Sequence, residues 1–269
     1  MSIGEGSLTE RVLRRDRRIV IAGLAAMTLL SWLYILAGAG SGVSVWHMAA
    51  TSMAGMAMPP PAWTSGYWLL MLVMWWIMMI AMMTPSAAPM ILLYARATRH
   101  AQNRERLRQG ALPTAAFAAG YLLAWLGFSV IATALMWALE RAGLASGAGL
   151  ASSSRQFSAA VLMFAGLYQL SALKRRCLQH CRSPADFIAR HWKPGVAGAL
   201  RMGLEHGAFC VGCCWVLMTL LFVGGVMNVL WIAALTLCVI LEKILARGPW
   251  LGRTCGACLL AWGALTLVV

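Results

Sequence analysis

Charge is scarce in this chain. Of 269 residues, 11% are charged and only 8 are acidic, against 61% hydrophobic residues and a mean hydropathy of +0.74, a balance that excludes an ordinary soluble domain. The sequence also lacks a phosphate-binding P-loop, an aspartate-phosphorylation sequence and a soluble domain, which excludes ATP-driven pumping within the chain. Histidine is rare: the chain has 5, and only His206 falls within an apolar run, too few for a multi-histidine membrane oxygenase. No strong internal repeat is visible, which argues against an inverted-repeat transporter.

What is present is a series of apolar runs about 20 residues long, the length that spans a bilayer's hydrocarbon core. They cover Ile19 to Ala39, Tyr67 to Tyr94, Pro113 to Leu139, Phe157 to Leu173, Arg201 to Gly224, Val226 to Leu245 and Leu251 to Val269. The pattern predicts an all-α, polytopic helical membrane protein with about seven transmembrane helices, or six and one re-entrant piece. Residues 1–18 form a basic cytoplasmic N-terminus and 19–269 a single helical membrane domain. The first run reads as a signal anchor, because its apolar stretch is longer than the core of a cleaved signal peptide. Gly224-Gly225 predicts a tight hairpin outside, and Pro85 and Pro89 predict a broken second span with a cavity beside the break.

The net charge of +14 lies in the short segments between apolar runs, so it reads as an orienting signal and nucleic acid is not an expected partner. With the N-terminus inside, the inner segments hold 20 of the 22 basic residues, leaving Arg141 and Arg155 outside. The expected partner is therefore the lipid bilayer, with the segment at about 40–66 outside.

The chain has 8 cysteines, each within the membrane or on the cytoplasmic side by this topology, where thiols stay reduced and a disulfide framework is not expected. The densest cluster is on the fifth span. His206, Cys210 and Cys213 share one helical stripe, with Cys214 beside it. At about 1.5 Å rise per residue, His206 and Cys214 lie roughly 12 Å apart, too far to ligate one ion together. One ion can take His206 with Cys210, or Cys210 with Cys213 or Cys214. Thiolate and imidazole suit Cu(I), with zinc as the alternative. Cysteine packing beside Gly203, Gly207 and Gly212 at a helix crossing would give the same pattern.

Met71, Met74, Met78 and Met82 form a stripe on the second span, a route for a soft cation or ordinary adaptable packing. The outside segment carries His47, Met53, Met56 and Met58, thioethers suited to capturing copper where thiols would oxidise. On the cytoplasmic side, Cys177, His180 and Cys181, and Cys255 with Cys258, offer a combined thiolate site, a dithiol exchange pair or plain interfacial thiols.

The succession Met74-Trp75-Trp76-Ile77-Met78-Met79 through Thr84-Pro85, Cys177 to Pro184, Cys210-Val211-Gly212-Cys213-Cys214-Trp215 with Met218, and Glu242-Lys243 resembles the bacterial family described as predicted metal-binding integral membrane proteins, a domain of unknown function. The resemblance runs from about Trp68 to Leu245. It implies an all-helical membrane fold in a bacterial inner membrane and a metal-binding role for Cys210, Cys213 and Cys214, then Cys177 and Cys181. The expected function is copper handling or transfer, with Cu(I) the ion and a periplasmic metal-binding protein as a further partner. A metal- or thiol-dependent membrane oxidoreductase and a non-catalytic scaffold are the alternatives.

Overall fold

The structure, a computed structural model, describes residues 3–38, 62–105, 111–146, 151–244 and 250–268. His47, Met53, Met56 and Met58 lie outside the described residues. In chain order the helices are α1 (Ile3–Leu36), α2 (Ser65–Glu105), α3 (Leu112–Arg141), α4 (Arg155–Leu170), α5 (Ala172–Arg182), α6 (Pro184–His191), α7 (Gly195–Thr219), α8 (Leu221–Gly224), α9 (Val229–Ile244) and α10 (Trp250–Val268). Among the described residues the only strand pairing joins β1 (Ala145–Ser146) to β2 (Ala151–Ser152) in a two-residue antiparallel ladder.

The all-α expectation holds, whereas the count of spans differs. Among the described residues, five helical stretches are long and apolar enough to cross a membrane: Arg17–Leu36, Ser65–Gln102, Leu112–Arg141, Gly195–Gly224 and Trp250–Val268. The expected fourth span is α4 and α5, which meet at a 63° bend. The cause is local: Ser171 has extended backbone and its hydroxyl accepts from the Lys174 N–H at 3.1 Å, capping a new helix. The expected sixth span, α9, has 16 residues, about 24 Å at helical rise against a core of about 30 Å.

The expected break at Pro85 and Pro89 is not formed, and α2 runs through both prolines. Each proline removes one backbone bond, leaving the Ala81 and Pro85 carbonyls without their N–H donors, while the turns on either side stay helical. Ser86 Oγ (2.8 Å) and the Tyr121 hydroxyl (3.2 Å) both approach the Met83 carbonyl between them. An apolar groove of about 510 Å³ does lie beside Thr84, Pro85 and Ala88, walled on its other side by Leu24 and Thr28 of α1. At Gly224-Gly225, the site of the expected hairpin, α8 ends and Gly225 takes a φ of +92°, a left-handed conformation open to glycine, before α9 begins at Val229.

The core lies around α2, α3 and α7. Trp75, Trp125, Tyr94, Tyr121 and Phe117 are its largest buried side chains, packed with Met74, Met78, Met79, Met82 and Met83. Leucines and isoleucines such as Leu30, Ile131, Leu230 and Leu265 face outward, as apolar residues do where lipid replaces water. The α3–α7 crossing is the closest contact. A Cβ at Gly203 would lie 2.0 Å from the Phe117 carbonyl oxygen, and one at Gly120 would lie 2.1 Å from that of Leu200. Only hydrogen side chains permit this approach.

Candidate metal centre

The crossing determines what surrounds the α7 cysteines. Gly207 lets α7 lie against Tyr121 and Ala124 of α3, which puts the Tyr121 hydroxyl 3.2 Å from Cys210 Sγ. Cys210 is 1% exposed. Lys243, near the end of α9, donates to Cys210 Sγ at 2.9 Å and to Ser86 Oγ at 2.9 Å. An ammonium at this distance offsets the charge of a thiolate, the form in which cysteine binds metal.

Two further sulfur pairs flank Cys210. Cys214 Sγ lies 3.8 Å from Met83 Sδ of α2, and Cys213 Sγ lies 3.9 Å from Cys181 Sγ of α5. Cys213 and Cys214 also turn back to the Cys210 carbonyl, at 3.1 and 2.9 Å. Two sulfurs bound to one ion at about 2.3 Å with tetrahedral or trigonal angles stand about 3.8 to 4.0 Å apart. Packed sulfurs in plain contact have similar spacing. The cluster gathers five sulfurs from three helices with an ammonium among them.

The remaining expected residues are distributed differently. His206 is buried between the rings of Phe117, Tyr121 and Phe187, at centroid distances of 6.2, 6.0 and 5.3 Å, and its Nδ1 has no hydrogen-bond partner among the described residues. Cys177 lies at Gly212, where a Cβ would come within 3.0 Å of its sulfur. His180 bonds the Arg176 carbonyl through Nδ1 and stacks on Phe209 at 4.1 Å. Glu205 pairs with Lys193 and with Arg201 at 3.3 Å, away from the cysteines. The combined cytoplasmic thiolate site is not assembled: Cys181 joins Cys213, Cys255 joins Cys238, and Cys258 is exposed.

That last pairing belongs to a second cluster. Cys238, Glu242 and Cys255 place their donor atoms within 4.8 Å of one another, and no other such trio of cysteine, histidine or acidic residues occurs among the described residues. The α7 thiols are therefore arranged in pairs. Cys238 Sγ and Cys255 Sγ stand 3.9 Å apart. Gln169 Nε2 donates to Glu242 Oε1 at 2.8 Å and to Cys255 Sγ at 3.2 Å, while Lys174 Nζ meets Glu242 Oε2 at 2.6 Å.

Sequence reasoning missed Met83, Tyr121 and Lys243 as neighbours of the α7 cysteines, and Cys238 with Glu242. One signal was available: Cys238 and Glu242 are four residues apart on one apolar helix and so share a face. A charged pair such as Glu242-Lys243 at the end of an apolar run is also a functional candidate by default.

No curated protein and no solved structure matches the chain. Residues 72–266 match PpoB2, a family described as copper chaperone. The match extends from α2 into α10 and contains the donors of both clusters. Covering more than half of the sequence, it shows that the chain belongs to the PpoB2 copper chaperone family.

Proposed function

We propose that this copper chaperone family member is an inner-membrane protein that binds Cu(I) at the buried cluster of Cys181, Cys210, Cys213, Cys214 and Met83 and passes it across the membrane. The observation that carries this reading is Cys210, enclosed between two sulfur pairs and facing the Lys243 ammonium. Soft sulfur donors favour Cu(I) over hard cations. One Cu(I), two thiolates and one ammonium sum to zero charge, which suits a buried site where net charge is costly.

The route begins with capture by His47, Met53, Met56 and Met58 on the outside. It continues along Met71, Met74, Met78 and Met82, which lie on one face of α2 and are buried. Met83 then delivers the ion to Cys214. Exchange proceeds through Cys210 to Cys213 and Cys181, each step gaining a new sulfur before releasing an old one. Thioethers are neutral and thiolates anionic, so donor strength rises from the methionines to the cysteines. Cys177 stands beside this inner end, and His206 borders Cys210 on α7. The N-terminus and the segment Arg96 to Arg108 are cytoplasmic on this reading.

The test is copper bound per chain for the full-length protein in mild detergent, compared with Cys210→Ser, Cys213→Ser, Cys214→Ser and His206→Ala. Loss of a thiolate is expected to weaken Cu(I) binding by at least about 100-fold, more than loss of a partner outside the ligand set. Serine should fail as alanine does, since a neutral hydroxyl is a poor Cu(I) ligand. Wild-type protein without stoichiometric copper, or four variants that all retain it, would overturn the reading.

A further inference from the structure

The second cluster has the donors of a metal site but a different chemistry from the first. It is assembled from three regions. Cys238 and Glu242 occupy one face of α9, Cys255 lies one turn into α10, and Gln169 closes the cluster from the end of α4. The close packing of α4 on α10 makes this possible: a Cβ at Gly166 would stand 2.8 Å from the Gly256 carbonyl oxygen. Lys174 arrives from α5, just after the bend at Ser171.

We propose that Cys238, Glu242 and Cys255 form a second, separate metal site that takes a borderline divalent cation, Zn2+, and not the Cu(I) of the α7 cluster. The site does not depend on the copper reading.

Geometry supplies the first argument. With sulfurs 3.9 Å apart and metal–sulfur bonds of about 2.3 Å, the angle at the ion is roughly 115°. That is a tetrahedral or trigonal arrangement, far from the linear one two thiolates alone would give, so further donors are required. Glu242 provides the third. Two thiolates with a carboxylate oxygen are a donor set for zinc, whereas Cu(I) avoids oxygen.

Charge supplies the second. Lys174 and Glu242 are both 2% exposed and pair at 2.6 Å, so the cluster with two protonated thiols is neutral. Binding of Zn2+ releases the two thiol protons. The sum of Zn2+, two thiolates, the Glu242 carboxylate and the Lys174 ammonium is again zero. Cu(I) in the same place would leave one uncompensated negative charge beside the buried Glu242 and the half-buried thiolates, which is disfavoured. Arg182, part-buried and bonded to the Glu242 carbonyl at 2.8 Å, holds the backbone of the ligand residue.

Gln169 supplies the third. The side chain is buried, and its Oε1 has no partner among the described residues while Nε2 serves both Glu242 and Cys255. A half-turn of the amide exchanges Nε2 for Oε1 and offers an acceptor to a cation held by those two residues. A buried oxygen without a partner is unfavourable, and a bound cation would supply one.

The experiment titrates the full-length chain in mild detergent, under reducing conditions, with Zn2+ alone against a competing chelator. One zinc per chain is expected. Cys238→Ser and Cys255→Ser should each weaken zinc by at least about 100-fold and Glu242→Gln by about 10-fold, while Cys210→Ser keeps it. Co2+ in place of zinc gives a second readout. Wild type should show sulfur-to-cobalt charge-transfer absorption that is lost in Cys238→Ser, with each variant checked as a single detergent-solubilised species. Wild type that takes no zinc, or cysteine variants that bind it as wild type does, overturns the proposal. So does a Cys238→Ser variant that loses copper instead of zinc. Failure of the copper reading would register separately, as absence of copper with the zinc titration intact.

Discussion

The α7 cluster, with Cys210, Cys213 and Cys214 buried, and the α9–α10 cluster, with Cys238 and Cys255 half-buried, are groups of cysteines served by one helix, yet α9 gives them opposite charges. Lys243 faces the first and Glu242 the second. In the first, the sulfurs of Cys213, Cys214, Cys181 and Met83 are paired around Cys210, which meets the Tyr121 hydroxyl and the Lys243 ammonium. In the second, a carboxylate joins the thiols and is itself balanced by Lys174. A buried site must be close to neutral when loaded. The fixed charges therefore select the valence of the ion, which the cysteines alone do not.

The strongest way to break this comparison is to damage one cluster's scaffold and leave the other's. Gly203→Val drives side-chain atoms into the Phe117 backbone at the α3–α7 crossing, an overpacking expected to cost about 3 kcal/mol. Copper binding should collapse with it because Tyr121 is displaced from Cys210. The α4–α10 packing is separate, so zinc binding should persist in whatever protein remains folded, as read by metal content across a detergent thermal-stability series.

A smaller effect sharpens the charge argument. Lys243→Met removes the ammonium at nearly constant volume and should weaken copper by about 10-fold or more, with zinc unchanged. If copper affinity in this variant equals that of wild type, neutrality does not govern the first cluster. Weaker again is Tyr121→Phe, which removes a hydroxyl shared between the Met83 carbonyl and Cys210 Sγ, a hydrogen-bonding group worth about 0.5 to 1.5 kcal/mol. A competition assay should show copper affinity falling between about 2- and 13-fold, the same free energy at about 1.4 kcal/mol per tenfold. The smallest copper effect is expected for His206→Phe, which keeps an aromatic ring among Phe117, Tyr121 and Phe187. A loss as large as that of Cys210→Ser would instead make His206 a ligand.

Much of this arrangement was visible in one dimension. Apolar runs announced the long helices, and Gly224-Gly225 announced the helix boundary before α9. The stripe His206, Cys210, Cys213 and Cys214 follows from helical periodicity alone. Two local expectations differed. Helix α2 runs on through Pro85 and Pro89, each of which removes one backbone bond and leaves the flanking turns intact. Ser171, in contrast, ends a run that hydropathy alone would continue, because its hydroxyl caps the following helix. The partners of the cysteines were not legible. Nothing in the local sequence says that Cys181 will meet Cys213 or that Lys243 will reach Cys210, because those pairings require three helices to be docked first.

The adjacency of Glu242 and Lys243 has a mechanical side. Neighbouring residues point about 100° apart around a helix axis, given 3.6 residues per turn, and here each is anchored in a different cluster. Together they act on α9 as two guy-ropes do on a mast, opposing rotation in both senses. Any roll of α9 that slackened Lys243 from Cys210 would also shift the Glu242 carboxylate relative to Lys174, so the two buried contacts together fix the rotational setting of the helix.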